Sequence, residues 1–189
     1  VNPSETPDDA TLARKAQGGS SSAFGMLVHR HHKRVFGFLL ALTRHRQDAE
    51  DLTQETFLRA WDKIHRYDPS LPVIPWLLTI ARRQSIAALR RSRPLPVDVI
   101  SHAETEPNSR ALRLWEIAKS QLPPDSYSAL WLHYREELPL KEVAAILGKR
   151  EGAVKVILHR ARISLAAAIH GTAPEPEPAC LTEPQSSMP

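Results

Sequence analysis

Leu138–Leu165 reads LPLKEVAAILGKREGAVKVILHRARISL. Apolar residues recur at three-to-four spacing on both sides of Gly148, which predicts two amphipathic helices. Gly148 falls where a tight turn needs a residue that accepts a positive φ at no steric cost. Val154, Leu158, Ala161 and Leu165 share one face of the second helix and are predicted to pack on Val143, Ala144 and Leu147 of the first. Lys155, His159 and Arg160 then project beside or away from that face, and Arg150 stands near the helix start, where the backbone itself favours a phosphate. This is the sequence form of a helix-turn-helix, whose second helix enters the DNA major groove.

The rest of the chain also reads as helix. Val1–Asp8 carries two prolines and no apolar period and is read as a tail. Asp8 or Asp9 is placed to cap a short helix, Ala10–Gln17, which Gly18-Gly19 ends. The serines at 20–22 are placed to cap a long helix with an apolar stripe of Phe24, Leu27, Val28, Val35, Phe38, Leu39 and Leu42. A third helix is predicted from about Gln47 to Arg66, a loop at Asp68-Pro69-Ser70 and Pro72, and a fourth helix from near Pro75 to Arg91. Ser92–Asn108, with Pro94, Pro96 and Pro107, reads as a linker. Helical periodicity resumes over Ser109–Gln121 and restarts at Pro123-Pro124-Asp125 with Leu130, Trp131 and Tyr134. After Gly171 the composition of proline, glutamate and serine predicts disorder. The expected fold is all-α: two small helical domains, 9–91 and 109–170, joined by a flexible linker at 92–108, with tails at 1–8 and 171–189. Each domain is small enough that its core is marginal.

Composition narrows the function. The 189 residues carry a formal charge of only +4, so clustering of charge, rather than its sum, points to nucleic acid. Five arginines and no acid lie between Arg82 and Arg93, suited to phosphates and to stacking on exposed bases. Tyr67 and Trp76 lie just upstream and could meet unpaired bases, although Trp76 also suits a core. The single cysteine, Cys180, excludes a disulfide framework or a cysteine-based zinc site within one chain. There is no run of eighteen apolar residues, and the polar, acidic start is unlike a secretory signal, so a cytoplasmic protein is expected. His29, His31 and His32 cluster in HRHHKR, but neighbouring lysine and arginine oppose a bound cation; the segment reads as a solvated basic face with no metal. No phosphate-binding glycine loop, metal-ligand carboxylates or nucleophile–base pair is evident. The chain therefore reads as a binding protein with no cofactor or small-molecule substrate, not an enzyme.

The third helix contains DAEDLTQETFLRAW, with Thr53, Phe57, Ala60, Trp61 and Ile64 on one face. Asp48, Asp51 and Glu55 fall roughly opposite, with Gln54 on the flank. That acidic stripe suits a basic partner, or is an ordinary solvated face.

Three segments carry a family resemblance: DAEDLTQETFLRAW, PWLLTIARRQSIAALRR and LPLKEVAAILGKREGAVKVILHRAR. Phe24–Arg91 resembles region two of bacterial sigma factors and Leu112–Ala168 resembles region four. The short connection between them resembles the extracytoplasmic-function (ECF) group. The resemblance implies a dissociable initiation subunit that binds core RNA polymerase and promoter DNA and is held inactive by an anti-sigma factor, often membrane-anchored. It implies polymerase docking by Asp48, Asp51, Gln54 and Glu55. It implies −10 element contacts at Tyr67, Trp76, Arg82, Arg83, Gln84, Arg90 and Arg91. It implies −35 element contacts at Arg150, Gly152, Lys155, Val156, His159, Arg160 and Arg162. Departures occur at Arg83 and Gln84, where Asn and a basic residue are usual, and at Ala87 in place of an Asp. Val156 and Ile157 replace a serine and an arginine; an exposed Val156 could meet a thymine methyl. A conventional helix-turn-helix regulator with a helical sensor or dimerisation domain is the alternative, though such a domain would not need the Arg82–Arg93 cluster.

Overall fold

The structure is a computed structural model that describes the backbone of residues 7–91 and 109–170, with side chains from 7–88 and 113–169. The expected linker at 92–108, the C-terminal tail at 171–189 and residues 1–6 of the N-terminal tail lie outside the described residues. Within them every regular element is helical. The first unit contains α1 (Asp9–Gln17), α2 (Ser21–Thr43), α3 (Arg46–Lys63) with a 3-10 turn at Ile64–Arg66, and α4 (Val73–Arg91). The second contains α5 (Ser109–Gln121), α6 (Pro124–Leu130) running into a π-helical turn at Trp131–Arg135, α7 (Leu140–Leu147) and α8 (Glu151–His170).

Side chains at the helix ends account for the boundaries. Asp8 Oδ1 accepts the Thr11 N–H at 2.8 Å and Ser20 Oγ accepts the Ala23 N–H at 3.3 Å, satisfying amide groups that the helix leaves unpaired. α4 begins two residues before Pro75; a proline in the first turn removes an N–H that has no helical partner there. The predicted stripe of α2 is largely buried, with Leu27, Val35, Phe38 and Leu39 at its centre. It packs against α1, α3 and α4, whose Leu12, Phe57, Ala60, Leu77 and Leu78 complete the core. Gln17 ties α1 to the chain after α3, donating from Nε2 to the carbonyls of Ile64 (2.9 Å) and Tyr67 (2.6 Å). In the second unit Trp115, Tyr127 and Trp131 cluster with ring centroids 5.2–6.2 Å apart.

The HRHHKR segment is not uniformly solvated, because α2 turns its middle inward. His31 is 6 % exposed. Its Nε2 pairs with one Asp9 carboxylate oxygen at 2.7 Å, while Arg30 takes the other. Burial pushes the His31 pKa below its ordinary value, and the Asp9 charge only partly opposes this. His32 is exposed yet stacks near the rings of Phe36 and Phe57. No group of three or more His, Cys, Asp or Glu among the described residues is placed to hold a metal.

The helix-turn-helix closes as its glycine requires. Gly148 has φ +64° and donates its N–H to Ala145 O at 3.2 Å, and Lys149 donates to Ala144 O at 2.9 Å. These two bonds form the Schellman ending of α7. A Cβ at Gly148 would meet nothing within 4 Å, so only backbone strain opposes a side chain there. Gly148→Ala is expected to destabilise the protein by about 1 kcal/mol, read as a lower urea midpoint with unchanged slope. An unchanged midpoint would show that this turn does not need the left-handed conformation.

Candidate nucleic-acid interface

α8 packs through Val154, Leu158 and Ala161, which are buried against α6 and α7. The rotation this imposes leaves Arg150, Gly152, Lys155, Val156, His159, Arg160 and Arg162 exposed, and for Lys155, His159 and Arg160 this is what the spacing predicts. Lys155 Nζ lies 3.1 Å from Glu151 one turn earlier, a surface pair weak enough for a phosphate to replace. Val156 is 49 % exposed, in the middle of the basic face, whereas Ile157 is half-buried and packs towards the core. The two departures thus differ in kind: Val156 adds an exposed apolar surface, and Ile157 adds packing.

α3 presents the acidic stripe. Asp48, Asp51 and Gln54 are exposed and Glu55 half-exposed, while Ala49, Leu52, Thr53, Thr56 and Phe57 turn inward. Asp51 accepts from Gln47 at 3.1 Å and Glu55 from Arg59 at 2.6 Å, both one helical turn away on the surface. Leu58 stands 67 % exposed beside them, three residues after Glu55 and four after Gln54. Leu58 is not among the residues expected on this face. The available signal was a large apolar residue directly after Phe57, out of phase with the buried stripe.

The α4 region differs from expectation. Tyr67 is 5 % exposed, its ring 4.7 Å from that of Trp76, and its hydroxyl donates to the Leu71 carbonyl. Burial pushes its pKa up to about 12, so the donor remains protonated. In this arrangement Tyr67 braces the loop from inside and presents no exposed ring. Trp76 is half-buried against the same ring. Gln84 is 5 % exposed and faces the core, one helical position round from the exposed Arg83. Arg82 is also buried, in an ion pair with Asp125 of the second unit at 2.6 Å. The side chains of Arg90 and Arg91 lie outside the described residues.

Comparison with known proteins matches this two-unit arrangement. Residues 27–94 match the family Sigma-70 region 2, and residues 117–165 match Sigma-70, region 4. The chain is 37% identical over 143 residues to the ECF RNA polymerase sigma factor SigM of Bacillus subtilis, covering 70% of this chain and 86% of SigM. It is 33% identical over 164 residues to the probable RNA polymerase sigma factor RfaY of Xanthomonas campestris pv. campestris, covering 79% of this chain but 41% of RfaY. Its fold is similar to CnrH of Cupriavidus metallidurans, solved in complex with the cytosolic domain of CnrY. That match has a TM-score of 0.68 and 26% identity, and covers 87% of this chain and 99% of CnrH.

Proposed function

Since the chain belongs to the ECF sigma factors of the sigma-70 family, we propose that it works as a dissociable subunit of RNA polymerase that grips a promoter at two places. The α3 face of Asp48, Asp51, Gln54 and Glu55, with Leu58 as an apolar anchor, docks on core polymerase. α4 and the loop before it serve the −10 element, to which Arg83, Arg90 and Arg91 contribute. The α8 face of Arg150, Gly152, Lys155, Val156, His159, Arg160 and Arg162 reads the −35 element. The observation that supports this best is the exposed basic face of α8, set by its buried Val154–Leu158–Ala161 stripe.

The chain itself performs no chemistry in this reading. It contributes binding energy that places polymerase and opens the duplex in the cytoplasm. Among the described residues no helix is long and apolar enough to cross a membrane. An anti-sigma factor, itself anchored in the membrane, covers the polymerase and DNA surfaces until it is needed. The resemblance to the family supports this, as does the likeness to CnrH bound to a cytosolic domain.

The test is in vitro transcription with bacterial core polymerase on a promoter library. The expected result is a set of initiated promoters sharing two short elements at the −10 and −35 positions. Initiation no different from core polymerase alone would contradict the proposal.

A further inference from the structure

The loop between α3 and α4 runs from Tyr67 to Pro72, and several of its polar groups are bonded within the loop itself. Tyr67 donates its hydroxyl to the Leu71 carbonyl, and the Leu71 N–H donates to the Asp68 carbonyl at 3.1 Å. Asp68 Oδ1 accepts from the Ser70 N–H at 2.9 Å and from the Ser70 hydroxyl at 2.8 Å. Those bonds, the backbone one first, hold the exposed Asp68 carboxyl below the usual carboxylate range, so it stays ionised. A carboxylate repels phosphate. The loop also offers an apolar surface, the Leu71 side chain, which is 58 % exposed. Such a side chain suits the face of an unstacked base.

The place of this loop on the protein is set in part from α1. Gln17, the last residue of α1, reaches with Nε2 to the Ile64 carbonyl at 2.9 Å and the Tyr67 carbonyl at 2.6 Å. These carbonyls stand at the start of the 3-10 turn and at the residue that ends it. A carbonyl oxygen only accepts, so the amide must face both with its nitrogen, whose two hydrogens match two acceptors. The Ile64 carbonyl also takes the Tyr67 N–H at 3.1 Å, so the turn keeps a bond of its own when Gln17 is changed. α1 is a firm support. Leu12, Ala13 and Ala16 are buried, and at its start Asp9 is bonded to His31 and Arg30 of α2.

Packing alone does not call for this amide. The Ile64 and Tyr67 side chains are already buried in the core of the first unit. Apolar burial is non-directional, whereas a hydrogen bond fixes where a carbonyl points. From Gln17 the bonds run in series: its nitrogen holds the Tyr67 carbonyl, and the Tyr67 hydroxyl holds the Leu71 carbonyl. Gln17 also lies before residue 27, where the match to Sigma-70 region 2 begins. The loop inside that match therefore leans on a side chain outside it.

We propose that Gln17 is a positioning residue for −10 recognition: it holds the Tyr67–Pro72 loop through the Ile64 and Tyr67 carbonyls, so that Leu71 meets an unstacked base at a fixed place. This rests on the reading of α4 and the loop before it as the −10 reader. Gln17 touches no DNA itself. Its loss lets the loop shift, and the preference among −10 bases falls while the −35 contacts on α8 are unaffected.

The test is in vitro transcription by core polymerase with the full chain, on promoters altered at one −10 or one −35 position at a time. Gln17→Met keeps the length of the side chain and removes its donors. It should shrink the ratio between the best and worst −10 base by about fivefold, the low end of what one base contact discriminates. The −35 profile and binding to core polymerase should match the parent. A merely structural bond would lower the urea midpoint and scale all promoters down together; that pattern, or an unchanged −10 profile, would overturn the proposal. Leu71→Ala, at an exposed position, should flatten the −10 profile by itself. Adding Gln17→Met to it should change nothing more, because both act on one contact, and additive losses would overturn the route through Leu71. Tyr67→Phe covers the case in which Gln17→Met does not fold. It leaves the ring beside Trp76 and releases only the Leu71 carbonyl, so an unaltered −10 profile there would also overturn the assignment. A parent chain indifferent to every −10 substitution would instead sink the reading of this loop as the −10 reader. A sensitive parent with an equally sensitive Gln17→Met variant sinks the role of Gln17 alone.

Discussion

Replacing Asp51 and Glu55 together with lysine is expected to weaken binding to core RNA polymerase by at least about tenfold, a change of about 1.4 kcal/mol. Reversing two charges on a complementary face costs more than their loss, because like charges then meet across the interface. The fold should survive. Asp51 is exposed and its carboxylate, among the described residues, is bonded only to Gln47, and Glu55 pairs with Arg59 on the surface of the same helix. Such an i,i+4 pair contributes about 0.3–0.5 kcal/mol. Circular dichroism should therefore be unchanged while a pull-down with core enzyme falls. Equal retention of the variant and the parent would remove α3 as the docking face.

Arg160→Ala should abolish sensitivity to −35 substitutions while preserving sensitivity to −10 substitutions. A base-edge contact is worth about 1–3 kcal/mol of discrimination, whereas loss of a phosphate contact weakens binding to every sequence alike. Arg160 is exposed on α8 and has no hydrogen bond or ion pair with any described residue, so it is free to reach a base. The measurement is transcription from promoters altered in one element at a time. A −35 preference that survives Arg160→Ala would mean that α8 is oriented differently in the groove, with Val156 and His159 carrying the discrimination.

Periodicity carried most of the architecture. The three-to-four spacing around Gly148 is enough to place α7, the turn and α8, because the buried stripe fixes which residues remain outside. Local caps at Asp8 and Ser20 were equally legible, since each is a short-range contact between neighbours in sequence. Contacts between residues far apart were not. His31 looked like part of a basic surface, but its partner Asp9 lies on another helix. Tyr67 looked available beside a proline loop, until Trp76 and the Leu71 carbonyl enclosed it. Arg82 belongs to a sequence cluster of arginines, yet Asp125, forty-three positions away, decides its role in this arrangement. The π-helical turn at Trp131–Arg135 has no local sequence signature; the displaced carbonyls are accommodated by Glu136 and Leu138, which donate back to Trp131 and Leu132. In each case the missing information is a tertiary partner, not a propensity.

The proposed function includes duplex opening as well as binding, and permanganate probing of unpaired thymines tests it most directly. Core polymerase, the chain, and both together should be compared on one supported promoter. Reactive thymines around the −10 element should appear only when both are present, and alanine at Arg90 and Arg91 should reduce them. Reactivity with core polymerase alone, or protection of intact duplex by the chain with no reactive thymines in the mixture, would contradict the account and favour a conventional helix-turn-helix regulator.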